Sequence, residues 1–169
     1  PLALKRKLVN EWSLVCEKEP RRVLKLPRTS TVKVILQDYL QYKEQKDKII
    51  DANELKDLQE WCESLSIYFD RALPVVLLYR HERPQYENAA KYMEDKQLMP
   101  SEVYGGEHLN RLFVRIAKML GSVVAKSGEI GDFRANCNDF LKFLGKNSSK
   151  YIVDEDYKLA EEALIVVAE

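Results

Sequence analysis

The sequence has no excess of either charge, no long apolar run and no secretion signal, and each of these absences argues against a class of function. Its 169 residues carry 27 basic and 27 acidic side chains, so no net charge draws the whole domain to nucleic acid or to an acidic membrane. No apolar run approaches the roughly 20 residues of a membrane span, and no signal-peptide pattern is present. Any role on nucleic acid would have to be local.

Cysteine and histidine are also too sparse to predict a metal or redox centre. Cys16, Cys62 and Cys137 lie far apart without a CxxC pair, and His81 and His108 complete no zinc spacing. Buried, reduced thiols are the simplest interpretation, and they indicate a reducing compartment, either the cytosol or the nucleus. We therefore expect no metal and no cofactor.

Apolar periodicity predicts helix along most of the chain and so an all-α fold. Apolar residues recur at spacings of three and four, which is typical of amphipathic helices. We expect one domain over residues 1–169, built as an orthogonal or bundle-like packing of about six to eight helices. The predicted helices span about residues 2–19, 32–40, 55–73, 75–79, 84–93, 106–121 and 133–144, with a shorter amphipathic fragment at 151–157.

Turn residues separate these helices. Pro20 ends the first helix, Asp51 caps the third, and Pro74 kinks the chain before a further helical turn. The glycine-bearing segment KSGEIG predicts a loop, and the tail EEALIVVAE fits no element. Because the chain begins at Pro1 without a methionine, we expect it to be part of a longer protein.

Two stretches, LLYRHERPQY and VYGGEHLNRLFVRI, gather aromatic, charged and apolar residues more densely than a structural helix requires. One hypothesis makes His81, Glu82 and His108 a hydrolytic or transferase site. Adjacent residues on a helix point about 100° apart, so His81 and Glu82 form no dyad by themselves. No nucleophile elbow, P-loop, zinc-protease or dinucleotide motif is present, and Gly105 with Gly106 is more simply a helix start than a phosphate cradle.

A second alternative is a helical nucleic-acid-binding domain. Its cations would come from the connector after the first helix, where basic residues cluster. The candidates are Arg21, Arg22, Lys25 and Arg28.

Two features favour protein binding instead. The first helix carries Leu4, Leu8, Val9 and Trp12 on an apolar arc wider than one flank requires, which indicates either deeper burial or a docking groove. Burial is the default for such a stripe, so the pattern alone favours it. Arg115 stands among apolar residues, and an arginine there needs a carboxylate or carbonyl partner, which an interface would supply.

Five blocks of the sequence resemble the MRG domain, the mortality-factor-related module of chromatin proteins. They occur in the family's order and spacing over nearly the whole chain. The blocks are LVNEW (Leu8–Trp12), LPRTSTVKVILQDYLQY (Leu26–Tyr42), LLYRHERPQY (Leu77–Tyr86), VYGGEHLNRLFVRI (Val103–Ile116) and NDFLKFLGKNS (Asn138–Ser148).

The resemblance implies an all-helical, non-enzymatic nuclear module that recruits partner subunits into histone acetyltransferase and histone deacetylase complexes. Partners of this family offer a short amphipathic helix and often an extended Phe-x-Leu-Pro segment. Many relatives also carry a chromodomain that reads methylated histone tails. None lies in this chain, so histone-tail recognition is implied only for a parent protein, and no nucleic acid or membrane contact is expected here.

Carried over onto this sequence, the family's binding residues form two sets. The resemblance places the helix-binding groove at Leu8, Val9, Trp12, Tyr79, Val114 and Arg115. It places a second pocket around Tyr104, His108, Leu109 and Leu112. Two departures stand out, since Asn110 occupies a position where relatives often have leucine, and Pro74 interrupts a segment that is often free of proline.

Overall fold

A computed structural model describes residues 1–46, 51–122 and 128–164, and most of these residues are helical. The all-α prediction is confirmed, with a small two-stranded sheet added. The helices are α1 (Leu2–Trp12), α2 (Val32–Lys46), α3 (Ala52–Ala72), α4 (Arg83–Lys96), α5 (Gly106–Ser122), α6 (Gly128–Lys146) and α7 (Ser148–Tyr151).

Several helices end or continue as the turn residues predict. Asp51 caps α3, since its side chain accepts a hydrogen bond from the Asn53 amide. A wider helical turn, Ser13–Glu17, extends α1 toward Pro20, and another, Leu73–Leu77, carries α3 past Pro74. Short 3₁₀ turns also occur at Arg80–Glu82, Pro100–Glu102, Asp154–Asp156 and Glu162–Leu164.

The main core lies where α2, α3, α5 and α6 meet, and aromatic rings fill it. The Tyr39 ring meets Phe140 edge-on with centroids 5.0 Å apart, and Phe113 stacks on the other side of Phe140 at 5.4 Å. Trp61 on α3 lies 5.9 Å from the same ring. These four residues belong to the apolar stripes that predicted the helices, so the stripes do form the core.

Two predictions about the chain's irregular parts are corrected. The connector after α1 forms strand β1 (Arg22–Leu24), which pairs antiparallel with β2 (Tyr157–Leu159). The amphipathic fragment expected at 151–157 is instead the end of α7, the 3₁₀ turn Asp154–Asp156 and the first residue of β2. Three-residue strands are too short to show a period of two, so the sequence carried no signal for them. The expected KSGEIG loop is helical from Gly128, while residues 123–127 and the tail residues 165–169 lie outside the described chain.

The paired glycines before α5 are explained by close packing. A Cβ on Gly105 would lie 2.8 Å from the Ser30 carbonyl oxygen, and one on Gly106 would lie 2.8 Å from the Tyr151 carbonyl oxygen. Both contacts are to backbone, which cannot move aside as a flexible side chain can. The two glycines therefore allow the start of α5 to pack closely against neighbouring backbone, as expected of a helix start. None of the described helices has the length and apolar content to cross a bilayer.

Candidate partner-binding groove

A concave surface between α1, the turn after α3, and α5 brings together all six residues that the resemblance placed in the first groove. We call this surface the α1/α5 groove. Its cavity is about 380 Å³. It is lined by Leu8, Val9, Trp12, Val76, Leu77, Leu78, Tyr79, Arg111, Val114 and Arg115.

The walls of the α1/α5 groove are apolar side chains that the fold leaves in solvent. Val9 is 68% exposed, Trp12 48% and Val114 51%. Leu77 and Leu78 are buried beneath them and form the floor. Contiguous exposed apolar surface of this kind marks an interaction site more often than a packing defect. The wide apolar arc of α1 is thus only partly used for burial, contrary to the default expectation.

A buried arginine in the lining of the groove connects its three segments. Arg111 Nη1 donates to the Leu77 carbonyl oxygen at 2.8 Å, and its Nε donates to Glu11 Oε1 at 3.1 Å. The guanidinium also makes a bidentate pair with Glu82, at 2.6 and 2.8 Å. The Tyr79 ring lies over this group, 3.9 Å from Arg111 Cζ. One side chain on α5 therefore positions α1 and the turn after α3.

Glu82 is the acceptor on which this network converges. Besides Arg111, its carboxylate accepts a hydrogen bond from the Tyr79 backbone amide at 2.7 Å. His108 Nε2, on the preceding turn of α5, donates to Glu82 Oε1 at 3.2 Å. All of Glu11, Glu82, His108 and Arg111 are buried. We call these four residues the buried charge network.

Acid should weaken the fold through Glu82. Burial alone would raise the pKa of Glu82, but the Arg111 charge and the hydrogen bonds from Arg111 and His108 hold it well below its ordinary value. A carboxyl with a lowered folded-state pKa contributes stability above its unfolded pKa of about 4.3, and loses that contribution as the pH falls further. We expect urea denaturation to show a smaller loss of unfolding free energy between pH 6 and pH 3.5 in Glu82→Gln than in the unmodified chain. Equal losses would contradict this assignment.

Two arginines of α5 differ in their surroundings. Arg115 was expected to need a carboxylate or carbonyl partner that an interface would supply, and it is exposed on the groove rim and makes no ion pair with any described residue. Arg111, one turn earlier, meets that requirement with Glu11 and Glu82. Sequence reasoning missed Arg111, and also Val76, Leu77 and Leu78. The sequence offered one signal for them: Arg111, Leu77 and Leu78 lie in the recognised blocks, and Val76 lies close to Pro74.

The structure buries the four residues that the resemblance placed in a second pocket. Tyr104, His108, Leu109 and Leu112 are all buried, and Leu109 and Leu112 have no exposed surface. The Tyr104 ring meets the His108 ring edge-on at 4.8 Å, so the pair packs within the domain. Tyr104, Leu109 and Leu112 thus belong to the core, and His108 belongs to the buried charge network.

The two departures from the family pattern have local structural roles. Asn110 is buried and donates from Nδ2 to the Leu4 carbonyl oxygen at 3.0 Å, which fastens α1 to α5. The Pro74 carbonyl oxygen accepts a hydrogen bond from Arg83 Nη1 at 2.6 Å, which joins the turn after α3 to the start of α4. Both residues therefore support the groove from outside it.

The three residues of the enzyme hypothesis do not share one open site. Glu82 and His108 do meet, but both are buried and Glu82 is held by Arg111. His81 lines a different cavity, together with Arg80 and Pro84. Within residues 1–46, 51–122 and 128–164, no group of three or more His, Cys, Asp or Glu side chains could hold a metal ion.

The nucleic-acid hypothesis loses half of its cations to internal ion pairs. Arg28 is buried between Glu107, at 2.8 Å, and Asp156, at 2.7 Å. Arg21 pairs with Glu19 at 2.8 Å. Only Arg22 and Lys25 of the expected set are exposed without a recorded carboxylate partner among the described residues. Two cations make a weak phosphate-binding surface.

Comparison with known proteins agrees with the resemblance. The chain is 36% identical over 157 residues to Protein MRG1 of Arabidopsis thaliana, covering 93% of this chain and 46% of that protein. It is 33% identical over 169 residues to the NuA4 complex subunit EAF3 homolog of Dictyostelium discoideum, covering 99% and 41%. It is 34% identical over 160 residues to human Mortality factor 4-like protein 2, covering 95% and 54%.

The chain thus spans about half the length of these curated relatives. The family model described as MRG matches residues 1–159, which include every segment of the α1/α5 groove and the whole buried charge network. On this match, and on the identities above, the chain belongs to the MRG family.

Proposed function

We propose that this domain is a non-enzymatic adaptor of chromatin-modifying complexes, and that it holds a helix of a partner subunit in the α1/α5 groove. The observation that carries the proposal is the convergence of Val9, Trp12, Tyr79 and Val114 on one concave, exposed apolar surface. An amphipathic helix is the usual occupant of such a groove, since its apolar face buries the exposed side chains.

The cellular setting is proposed from the relatives. One is named as a subunit of the NuA4 complex, and one from Yarrowia lipolytica as a chromatin modification-related protein. We extend this to subunits of histone acetyltransferase and histone deacetylase complexes, which the family resemblance implies, and to the nucleus. The proposal is confined to the partner helix, because the residues expected to receive a Phe-x-Leu-Pro segment are buried.

A charge placed in the groove should release the partners. We expect Val9→Glu in the full-length protein to remove subunits of chromatin-modifying complexes from affinity purifications, because an unpaired carboxylate would be buried against the partner helix. Val34→Glu is the matched control, since Val34 on α2 is also exposed and lies outside the groove. Equal recovery of subunits with both variants, compared by quantitative mass spectrometry, would contradict the proposal.

A further inference from the structure

We propose that the α1/α5 groove selects a partner helix with acidic flanks. The inference rests on the proposed function above and adds the charge that the occupant must carry. It follows from a local charge imbalance in a chain whose total charge is balanced at 27 basic and 27 acidic residues.

The two helices that wall the groove present only positive charge to solvent in their described parts. Both of their carboxylates point inward: Glu11 is 3% exposed and held by Arg111, and Glu107 is 1% exposed and held by Arg28. The basic residues that remain at the surface of these helices are Lys5, Arg6, Lys7, Arg115 and Lys118.

Lys5, Arg115 and Lys118 lie on the helix faces that border the groove. Lys5 precedes Val9 by four residues and Trp12 by seven, so it lies on the same side of α1. On α5, Lys118 follows Val114 by four residues, next to Arg115 on the rim. Lys5, Arg115 and Lys118 make no ion pair with any described residue, whereas Lys7 is paired with Asp154 at 2.9 Å.

A helix seated in the groove would bring its flanks against these cations. Its apolar stripe would contact Trp12 and Val114, and the positions on either side of the stripe would face Lys5 on one wall and Arg115 with Lys118 on the other. Glu or Asp at those flanks is attracted, and Lys or Arg is repelled. Charges on an interface rim act mainly on the association rate constant and on specificity.

Other anionic surfaces fit less well. An acidic bilayer would also suit exposed apolar and basic groups, but membrane-bound helices insert a protruding apolar face, and here the apolar residues line a depression between two helices. A DNA duplex would offer no apolar contact to Val9, Trp12 and Val114. A protein helix satisfies both the concave apolar surface and the cationic rim.

The test is a selection from a peptide library built on one amphipathic helical scaffold. The apolar stripe is held constant, and the flanking positions are randomised among Glu, Gln and Lys. The library is selected on the 169-residue chain, on Trp12→Ala, on the charge-reversed variant Arg115→Glu with Lys118→Glu, and on a control. The control is Lys91→Glu with Lys142→Glu, which changes the net charge equally at exposed sites outside the groove.

We expect Glu to be enriched at both flanks with the unmodified chain and with the control. With the charge-reversed variant we expect Lys at the flank that faces α5, while the flank that faces Lys5 keeps its preference for Glu. Glu-flanked peptides should bind about tenfold more tightly than their Lys-flanked counterparts at low salt, the size expected for a few exposed charge pairs, and the difference should shrink as salt rises. Peptides that depend on Trp12 but show no flank preference would overturn this inference and leave the proposed function standing. If no peptide depends on Trp12, and acidic vesicles or duplex DNA bind instead, both are overturned.

Discussion

Replacing Trp12 with alanine weakens binding of a helical partner segment by about 30- to 700-fold. Trp12 is the largest side chain on the groove wall, and 48% of its surface remains exposed after folding. A central aromatic anchor that becomes buried on binding typically contributes about 2 to 4 kcal/mol. Isothermal titration of the 169-residue chain with a partner helix, such as one selected from the library above, measures the loss.

The same substitution should leave the fold intact. An exposed side chain outside the core usually changes the unfolding free energy by less than about 0.5 kcal/mol. Ile67→Ala is the matched control, because Ile67 on α3 is 54% exposed and lies outside the groove. We expect Ile67→Ala to bind normally. A Trp12→Ala chain that binds at the unmodified strength would show that the partner sits elsewhere.

Replacing Arg111 with methionine lowers the unfolding free energy by about 3 to 5 kcal/mol. Arg111 contacts both Glu11 and Glu82, and its loss leaves two buried carboxylates without that charge. Removing one partner of a buried ion pair is strongly destabilising, since the remaining charge has lost its solvent and its counter-ion. Urea denaturation at neutral pH measures the change.

Arg115→Met supplies the control from the same helix. Arg115 lies one turn further along α5 and is exposed, so we expect a change of less than about 0.5 kcal/mol. Adding Glu11→Gln and Glu82→Gln to Arg111→Met should restore part of the stability, because no unpaired charge then remains. Equal effects of Arg111→Met and Arg115→Met would show that the buried charge network does not stabilise the domain.

The helices could be predicted from the sequence for local reasons, whereas the residues of the candidate site were expected only through the resemblance. Apolar spacing, Asp51 and Pro74 act within a turn or two of the backbone, so the bounds of α3 and α5 and the start of α2 could be expected closely, whereas α2 continues to Lys46, past its expected end near residue 40. The groove residues were expected through the resemblance, because the recognised blocks contain Trp12 and Tyr79. No local pattern in the sequence distinguished the groove residues from the second set, Tyr104, His108, Leu109 and Leu112. In the structure the groove residues line a surface cavity, whereas the second set is buried.

Arg111 and Arg115 show where local reasoning ends. They occupy successive turns of one amphipathic helix, and the sequence around each is apolar. What separates them is Glu11, which lies 100 residues earlier in the chain and reaches Arg111 only after α1 has packed on α5. The strands β1 and β2 likewise exist only as a pair brought together by the fold.

By itself, the sequence determined that this protein is helical, that α1 carries a wide apolar arc, and that the chain belongs among MRG domains. Periodicity and motif order depend on neighbouring residues, which the sequence states directly. Only the tertiary structure decided that Arg111 is buried, that Tyr104, His108, Leu109 and Leu112 are buried inside the domain, and that Arg115 lies on the rim of an apolar groove. Burial and ion pairing depend on which distant segments meet, and that is settled by packing.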